Sequence, residues 1–361
     1  MLRLSAIGDV VQVVPTIRAL QRKWPDASFT WLMGSGEAHL LGDLDDVEIV
    51  PFRKKDGWKA IRALARHLRS RRFDTLLHMQ PSLRANLLSR VVAAPIRLGF
   101  DAERSRELHG LFVNERIAPG PEDHVLESFF SFARSLGVDS PVLRWEIPLS
   151  EEDRRFARAH LPDGERCMVI SPCSSHTLRN WSPERYARVA AHAVDQHRMR
   201  IVICGSPTET ERAMADAISR AIDRPVTNLV GRDTLKRLLA VLERATVVLS
   251  PDSGPAHMAS AVGTPVIGLH AATRSARSGP YRSLQWCVDV FSEAAGGFRG
   301  RPEHELPWAE KIEEPGVMDL IEVAPVVETL DRLVEEMEEG REVVSPPRIR
   351  ETRWPQSPAG R

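Results

Sequence analysis

The sequence from Thr246 to Leu269 reads TVVLSPDSGPAHMASAVGTPVIGL, and it decides the fold. A short apolar segment, Thr246–Ser250, runs into a Pro-Asp-Ser-Gly-Pro turn. A helical pattern over Pro255–Val262 follows, and a second apolar segment, Pro265–Leu269, comes after it. Short apolar segments that alternate with helical patterns are typical of a parallel sheet covered by helices. The stretch therefore predicts a strand–helix–strand unit.

The same alternation extends along most of the chain. Further strands are predicted at Leu2–Ala6, Phe29–Met33, Val47–Phe52, Thr75–Met79, Ile96–Phe100, Cys167–Ser171, Arg200–Cys204 and Val226–Val230. Further helices are predicted at Val10–Lys23, Pro183–Gln196, Thr208–Ile222, Leu235–Arg244 and Met318–Glu339. Two consecutive series of about 150 residues each predict an α/β protein with two Rossmann-like domains that face one another across a cleft.

The domain boundaries follow from the interruptions of this pattern. Prolines interrupt it near 137–150, which is the predicted linker. The prediction is an N-terminal domain over 1–145, a C-terminal domain with a closing helix over 146–340, and a disordered, proline-rich tail over 341–361.

Composition excludes several classes of protein. The 361 residues contain 49 lysines and arginines and 49 aspartates and glutamates, so the net charge is zero and a nucleic-acid partner is not expected. No apolar run approaches the ~18 residues of a membrane span, and no basic and apolar leader opens the chain. We expect a cytoplasmic protein, whose cysteines match no zinc or disulfide pattern and are buried and reduced: Cys167, Cys173, Cys204 and Cys287.

The first turn, Ser5–Val10, joins a strand to a helix without the G-x-G-x-x-G spacing of dinucleotide sites. A nicotinamide or flavin enzyme of the usual kind is therefore disfavoured. Asp9 falls in the first helical turn, at the end of the strand where ligands bind. It is either a functional carboxylate or an ordinary helix-capping aspartate.

Two loops of the second half offer groups that bind phosphates. The loop Ser171–Trp181 includes the hydroxyls of Ser174 and Ser175 and the guanidinium of Arg179, which can grip a phosphate with two donors. A polar loop with an exposed arginine is the alternative. Glu209 follows the next strand, where it either accepts hydrogen bonds from a ribose or simply favours the helix dipole.

The turn Ser250–His257 is the most informative motif. Asp252 and Ser253 follow a strand, and Gly254 and a proline open a helix whose free N–H groups form an anion site. His257 lies in the first turn on the same side, although a plain surface or core histidine is also compatible with the pattern. Two such helix starts in one half favour a phosphorylated ligand.

Five ordered blocks over about residues 1–290 resemble glycosyltransferase family 9, the heptosyltransferases of lipopolysaccharide core assembly. The blocks are Leu4–Asp9, Arg179–Glu184, Gly205–Pro207 with Glu209, Asp252–His257 and Arg277–Tyr281. The chain departs from the family in two places. Many relatives have lysine at the position of Arg179, and the stretch His270–Ser275 lacks the usual Asp-Pro or Asn-Pro.

The resemblance implies a GT-B fold, an acceptor bound by the N-terminal domain and ADP-L-glycero-D-manno-heptose bound by the C-terminal one. It further implies an inverting reaction without a metal or other cofactor. Asp9 resembles the general base and Arg179 the phosphate-binding cation. The other implied donor contacts are Ser174, Ser175, Glu209, Asp252, Ser253, Gly254 and His257.

The implied acceptor, a lipid A–Kdo glycolipid, is anionic, so the N-terminal domain should offer cations. The candidates are Arg53 and Lys55 after one strand, and Arg84 and Arg106, with Arg104 and His109 nearby. A solvated basic face is the alternative for each of them. We expect peripheral contact with the inner membrane through this basic surface, since no strongly amphipathic basic helix is evident in the sequence.

Other functions also fit the residues. One is a family 9 enzyme with another nucleotide sugar or another surface-glycan acceptor. A second is a sugar-nucleotide-binding protein that has lost catalysis, although Asp9 argues against it. A third is an epimerase of similar fold that acts on UDP-sugars and needs further acidic groups and histidines. The nucleotide that the chain prefers would discriminate among them.

Overall fold

A computed structural model describes residues 1–120 and 124–347 of the chain. The chain divides into two units, of which the first spans Met1–Pro148 and the second begins at Leu149. The division falls inside the predicted linker, 137–150. Each unit has its own parallel sheet, so the predicted α/β class with two Rossmann-like units is confirmed.

The first unit alternates strands and helices from its start. Its elements are α1 (Ile7–Lys23), β1 (Phe29–Gly34), α2 (Ala38–Leu41), β2 (Val47–Phe52), α3 (Gly57–Leu68), β3 (Thr75–Leu77), α4 (Leu83–Ser89), β4 (Ile96–Gly99), β5 (Glu115–Arg116) and α5 (Val125–Ser135). All of its strand pairs are parallel.

The first residues of the chain lie in the middle of this sheet. Leu2 bridges Leu32 of β1 and His78, which directly follows β3. Its N–H donates to the Leu77 carbonyl at 2.9 Å. The sheet order is therefore β2-β1-(residues 1–4)-β3-β4-β5, and Leu2 and Leu4 are buried because strands flank them on both sides.

The second unit repeats the alternation around a longer sheet. Its elements are α6 (Glu151–His160), β6 (Cys167–Ile170), α7 (Pro183–His197), β7 (Arg200–Ile203), α8 (Glu209–Ala221), β8 (Val226–Asn228), α9 (Leu235–Arg244), β9 (Val247–Pro251), α10 (Gly254–Ala261), β10 (Val266–His270), α11 (Ser275–Ser278), β11 (Val288–Asp289), α12 (Phe291–Ala294) and α13 (Val323–Glu338). Six parallel strands form the sheet in the order β11-β10-β9-β6-β7-β8.

The residues dictate these elements locally. The central strands β6, β9 and β10 are buried along their whole length, as apolar runs in a parallel sheet must be. Ser182 caps α7 through its hydroxyl, and a proline follows in the first turn. The predicted helix Met318–Glu339 begins later, at Val323, because Val317–Leu320 forms a separate 3₁₀ turn.

The described part of the predicted tail, 341–347, is held against the second unit. The Val343 carbonyl accepts hydrogen bonds from Gln285 Nε2 at 3.0 Å and Trp286 Nε1 at 2.7 Å. The N–H of Ser345 donates to the carbonyl of Arg282. A disordered tail from 341 onward is therefore incorrect for these residues, and 348–361 lie outside the described part of the chain.

The four cysteines are all unpaired, and three of them are buried. Burial raises the pKa of Cys167 and of Cys173 to about 12, so both are neutral thiols at ordinary pH. Within residues 1–120 and 124–347, no helix combines the length and apolar character needed to cross a bilayer.

The structure corrects one expectation about helices. α3 was not among the predicted helices, and it is both amphipathic and strongly basic. Its apolar residues Leu64 and Leu68 are buried, whereas Lys59, Arg62 and Arg66 are exposed. The expectation that no strongly amphipathic basic helix stands out in the sequence is therefore wrong.

Candidate active site

The strand order of the second unit reverses beside β6. β6 pairs with β7 on one side and β9 on the other, although β7 follows it directly in sequence and β9 does not. Ligands of doubly wound sheets bind beyond the carboxyl ends of the strands at such a point. The loop after β6 carries Ser174 and Arg179, and the chain after β9 continues with Asp252. The structure thus brings these predicted residues together.

Asp252 is a largely buried carboxylate, with 12% of its side chain exposed, at the centre of this group. Its Oδ2 accepts a hydrogen bond from Ser278 Oγ at 3.1 Å and lies 3.5 Å from Arg179 Nη1. Its Oδ1 lies 3.7 Å from His257 Nε2. Burial alone would raise the pKa of Asp252, but the neighbouring His257 and His270, together with the charge of Arg179, outweigh it and hold that pKa far below its usual range. Asp252 therefore stays ionised.

Arg179 is held between two carboxylates. Its Nε and Nη2 donate to Glu313 Oε1 at 2.8 and 2.5 Å, and Nη1 faces Asp252. Burial opposes ionisation of Glu313, but the hydrogen bond from Arg179 prevails and lowers its pKa. Glu313 was not predicted, because it lies in irregular chain between α12 and α13 where no motif or period indicates it.

Lys311 is a second cation that the sequence analysis missed. Burial, together with the charge of Arg179, lowers the pKa of Lys311. Asp252 and Glu313 act in the opposite direction, which places Lys311 in the same electrostatic group. Lys311, Arg179, Asp252 and Glu313 therefore belong to one electrostatic group, and the charge of Arg277 also acts on Lys311.

The serine hydroxyls have different environments. Ser174 Oγ donates to the Asp252 carbonyl at 2.9 Å, and Ser253 Oγ lies 2.8 Å from the buried Ser250 Oγ. Both therefore fix the loops that carry Asp252. Ser175 is exposed, so its hydroxyl is open to solvent.

The N-terminus of α10 differs from those of its neighbours. Hydroxyls of Ser182, Thr208 and Thr234 cap α7, α8 and α9, but Ser253 makes no side-chain cap on α10. The hydroxyl of Ser253 therefore does not occupy the N–H groups at the start of α10, which begins at Gly254. Together with the helix dipole they can bind an anion beside Asp252.

Glu209 and Glu211, both near the start of α8, have different environments. Glu209 is exposed at the start of α8. The Glu211 carboxylate instead accepts hydrogen bonds from the Ser206 hydroxyl and from the Ser206 N–H at 2.7 Å. A Cβ on Gly205 would lie 2.6 Å from Glu211 Oε2, so this contact requires the glycine. The sequence could have indicated the role of Glu211, because the Thr208-x-x-Glu211 spacing is typical of a helix start.

In the first unit, Asp9 is fixed through one carboxylate oxygen. Arg3 Nη2 lies 2.5 Å from Asp9 Oδ2, and the Ala6 N–H donates to the same oxygen at 3.2 Å. Among the residues that the structure describes, Oδ1 has no partner. The side chain is 33% exposed, so Oδ1 is accessible to a ligand. Arg3 was not predicted.

A cavity of about 420 Å³ lies at the carboxyl ends of β1 and β2. Arg53 and Lys55 line it, together with Glu37. The neighbouring Lys54 reaches Ser5 Oγ at 2.9 Å, which connects this basic turn to the Asp9 loop. A Cβ on Gly34 would clash with the Glu37 carboxylate and would lie 2.6 Å from the Leu4 carbonyl oxygen. The cavity therefore combines the basic residues of this turn with two acids, Glu37 and Asp56.

The other predicted cations lie apart from this cavity. Arg84 and Arg106 are exposed and do not line it. They lie near each other, because the Glu107 carboxylate accepts a hydrogen bond from the N–H of Leu83 at the start of α4.

Two further basic candidates are not free cations. Arg104 pairs with the buried Asp101. Burial lowers the pKa of His109 to about 4, with the charge of Arg116 acting in the same direction. His109 therefore packs as a neutral ring against His78, with 4.5 Å between ring centroids.

Potential metal ligands cluster elsewhere. Among the described residues, the one group of three is His192, His197 and Asp331, which joins α7 to α13 through two contacts of 2.6 Å. The described residues around Asp252 hold no such group.

The comparisons with known proteins decide the family. The family model described as glycosyltransferase family 9 (heptosyltransferase) matches residues 61–308. A lipopolysaccharide core heptosyltransferase of Haemophilus influenzae, OpsX, is 39% identical over 332 residues, which cover 92% of this chain and 95% of that protein. The chain belongs to glycosyltransferase family 9. It is therefore a glycosyltransferase, as the ordered motifs predicted.

Solved structures of family 9 share the fold. The family 9 glycosyl transferase of Veillonella parvula has a TM-score of 0.75 at 20% identity and covers 93% of this chain and 96% of its own. The ADP-heptose lipopolysaccharide heptosyltransferase II of Escherichia coli has a TM-score of 0.70 at 19% identity and covers 93% and 98%. These matches confirm the predicted GT-B class for this family 9 chain.

Proposed function

We propose that the chain transfers heptose from ADP-L-glycero-D-manno-heptose to the Kdo or heptose of the lipopolysaccharide inner core, with inversion at the anomeric carbon. The observation that carries the proposal is the match to OpsX, a lipopolysaccharide core heptosyltransferase, over 92% of the chain. The cation pair beside Asp252 and the start of α10 supply the phosphate-binding chemistry that an ADP-sugar requires.

In this proposal, the two units bind different substrates. The second unit binds the nucleotide sugar through Arg179 and the first turn of α10, near the reversal of strand order. Its other donor contacts are Ser174, Ser175, Glu209, Asp252, Ser253, Gly254 and His257. The first unit binds the acceptor through Arg53 and Lys55 in the cavity, and through Arg84 and Arg106 beside α4.

Asp9 acts as the general base. With Oδ2 held by Arg3 and the Ala6 N–H, Oδ1 accepts the proton of the acceptor hydroxyl as its oxygen attacks the anomeric carbon. The bond from that carbon to the diphosphate breaks, and ADP leaves with the electron pair. Because ADP is a good leaving group, one carboxylate suffices, whereas glycosidases need two.

Arg179 and the N-terminus of α10 stabilise the negative charge that develops on the departing phosphate. The three donors of Arg179 that now face Glu313 and Asp252 lie in one plane, which suits two phosphate oxygens. A bound phosphate would take the place of Glu313 as the hydrogen-bond partner of Arg179.

The acceptor is anchored in a membrane by its lipid, so we place the protein on the cytoplasmic side, in peripheral contact with the inner membrane. The cations of the first unit support this placement, since lipid A–Kdo carries several negative charges.

Calorimetric titration with ADP, UDP and GDP, followed by turnover assays with ADP-heptose and a Kdo acceptor, tests the proposal. We expect ADP to bind at least 10-fold more tightly than UDP or GDP, and ADP-heptose to be consumed only when the Kdo acceptor is present. A preference for UDP would contradict the ADP-heptose assignment. ADP binding without turnover would indicate an inactive binding protein.

A further inference from the structure

The chain around α3 carries a high positive charge. Between Arg53 and Arg72 there are nine lysines and arginines and a single acid, Asp56, although the whole chain has no net charge. The cations are Arg53, Lys54, Lys55, Lys59, Arg62, Arg66, Arg69, Arg71 and Arg72. Such clusters on an amphipathic helix are typical of segments that bind anionic lipids.

The cations of α3 point away from the protein. Leu64 and Leu68 are 6% and 5% exposed and pack in a cluster with the sheet residues Val50 and Leu76. On the opposite side, a row of basic residues is exposed: Lys59, Arg62, Arg66 and Arg69. None of these four forms an ion pair with a residue that the structure describes, whereas Arg71 pairs with Glu48 at 2.5 Å.

An exposed tryptophan lies at the beginning of this basic row. Trp58, in the first turn of α3, is 76% exposed, the highest fraction among the large apolar residues that are exposed in the described chain. Tryptophan is enriched at membrane surfaces, because its ring is apolar and its N–H is polar.

The neighbouring α4 also presents apolar residues to solvent. Leu83 and Leu87, one turn apart, are 48% and 52% exposed, and Arg84 and Arg90 accompany them on that side. A solvated helix normally carries polar residues there. The buried side of α4 contributes Leu88 to the same cluster that holds α3.

A second pair of exposed leucines lies alongside α4. Leu108 and Leu111 are 66% and 71% exposed. Their segment is tied to both ends of α4, since Glu107 accepts from Leu83 N–H and the Arg90 guanidinium lies 5.5 Å from the centre of the Phe112 ring. The four exposed leucines therefore lie on α4 and on a segment that is bonded to both of its ends, and we call them the leucine patch.

The basic row and the leucine patch lie on one side of the sheet. α3 connects β2 to β3 and α4 connects β3 to β4, and the sheet order advances in the same direction in both connections. Right-handed connections then place both helices on the same face. Their shared hydrophobic cluster agrees with this placement.

We propose that the exposed faces of α3 and α4, with the segment 107–112, form a docking surface for an anionic lipid bilayer. The cations match the negative charge of phosphatidylglycerol and similar headgroups, and Trp58 and the four leucines enter the boundary between headgroups and acyl chains. These apolar groups favour a bilayer over a polyanion such as nucleic acid. The inference rests on the proposed function only in that a glycolipid acceptor gives the docking a purpose.

The test uses the full chain and sedimentation with vesicles of phosphatidylglycerol and phosphatidylethanolamine. The variant carries Arg62→Gln, Arg66→Gln and Arg69→Gln, and its matched control carries Arg155→Gln, Arg188→Gln and Arg220→Gln, three exposed arginines of the second unit. Each cation near such a surface contributes about 5-fold to binding, so the variant should bind ~100-fold more weakly and the control unchanged. Thermal unfolding of both proteins checks that they fold.

A second variant, Leu108→Ser with Leu111→Ser, should lower the binding that persists at high salt, whereas Leu320→Ser, an exposed leucine of the second unit, should not. Equal vesicle binding by the arginine variant and its control would overturn the proposal, as would equal binding to neutral phosphatidylcholine vesicles.

A separate measurement keeps this proposal distinct from the proposed function. Turnover with a soluble, deacylated acceptor should be unchanged in the arginine variant. If turnover falls in parallel with vesicle binding, the surface binds the acceptor sugar itself and the docking proposal is overturned. If no heptose is transferred at all but vesicle binding depends on these arginines, the docking surface stands and only the proposed function fails.

Discussion

Arg3 Nη2 lies 2.5 Å from Asp9 Oδ2, so a residue of the first strand directly orients a carboxylate in the first turn of α1. Arg3 is itself anchored, because its Nη1 donates to the Met79 carbonyl at 2.7 Å beyond β3. Residues from two neighbouring strand ends thus fix one oxygen of Asp9 and leave the other accessible.

Arg3→Lys should lower kcat about 10-fold, because lysine keeps the positive charge but cannot donate to Asp9 and Met79 in one planar arrangement. ADP affinity should stay within 2-fold of the unsubstituted protein, because Arg3 and the donor residues belong to different units. Steady-state kinetics and calorimetry measure the two quantities. A loss of ADP affinity equal to the loss of kcat would contradict an orienting role.

Arg179→Ala should weaken ADP binding by about 10- to 100-fold, which corresponds to the ~1.5–3 kcal/mol of hydrogen bonds to a charged group. Arg188→Ala, an exposed arginine of α7, is the matched control and should bind ADP normally. Calorimetric titration distinguishes them. Unchanged ADP affinity in Arg179→Ala would mean that Arg179 only joins Glu313 to Asp252.

Arg106→Ala should raise KM for the acceptor at least 5-fold and leave the ADP dissociation constant unchanged, because Arg106 is an exposed cation of the first unit. Arg22→Ala, another exposed arginine of that unit, is the control and should change neither value. Equal effects of Arg106→Ala on acceptor and ADP would argue against an acceptor contact.

Asp233 makes stability depend on pH. Burial raises the pKa of Asp233 to about 7, and its Oδ2 has no partner in the described structure. Between the ordinary pKa of 3.8 and about 7, the folded protein binds a proton that the unfolded chain lacks, so the free energy of unfolding falls as pH rises through this range.

Asp233→Asn should therefore stabilise the protein by about 2 kcal/mol at pH 8 and by clearly less at pH 5. Urea denaturation at pH 5 and at pH 8 measures the free energy of unfolding of both proteins at each pH. Asp216→Asn, at an exposed position on α8, should have no such effect. If Asp233→Asn raised the free energy of unfolding by the same amount at both pH values, ionisation of Asp233 would not be the cause of the stabilisation.

Much of the fold could be predicted from the sequence, because most strands are short apolar runs and the crossover helices of the second unit have a clear period, whereas α3 and α4 of the first unit were missed. The predicted strand Val47–Phe52 and the helix Leu235–Arg244 coincide with β2 and α9. The first strand was harder, since only residues 1–4 precede the turn and their burial depends on neighbours far along the chain.

The candidate site was predictable where it begins at a strand end. Asp252 follows β9 directly, so its place at the carboxyl end of a strand could be predicted from the local sequence pattern. Glu313 and Lys311 were not, because they reach Arg179 from irregular chain that only tertiary packing positions. Glu211 was missed for another reason: the neighbouring Glu209 fitted the family motif, and the capping pattern of Glu211 was not used.

The central claim is that Asp9 is the general base, and Asp9→Asn tests it most directly. The amide keeps the shape of the side chain but cannot accept the proton of the acceptor hydroxyl. Asp26→Asn, at an exposed position of the same unit, is the control. We predict that Asp9→Asn transfers heptose at least ~100-fold more slowly while its ADP dissociation constant stays within 2-fold. Near-normal turnover by Asp9→Asn would contradict the account.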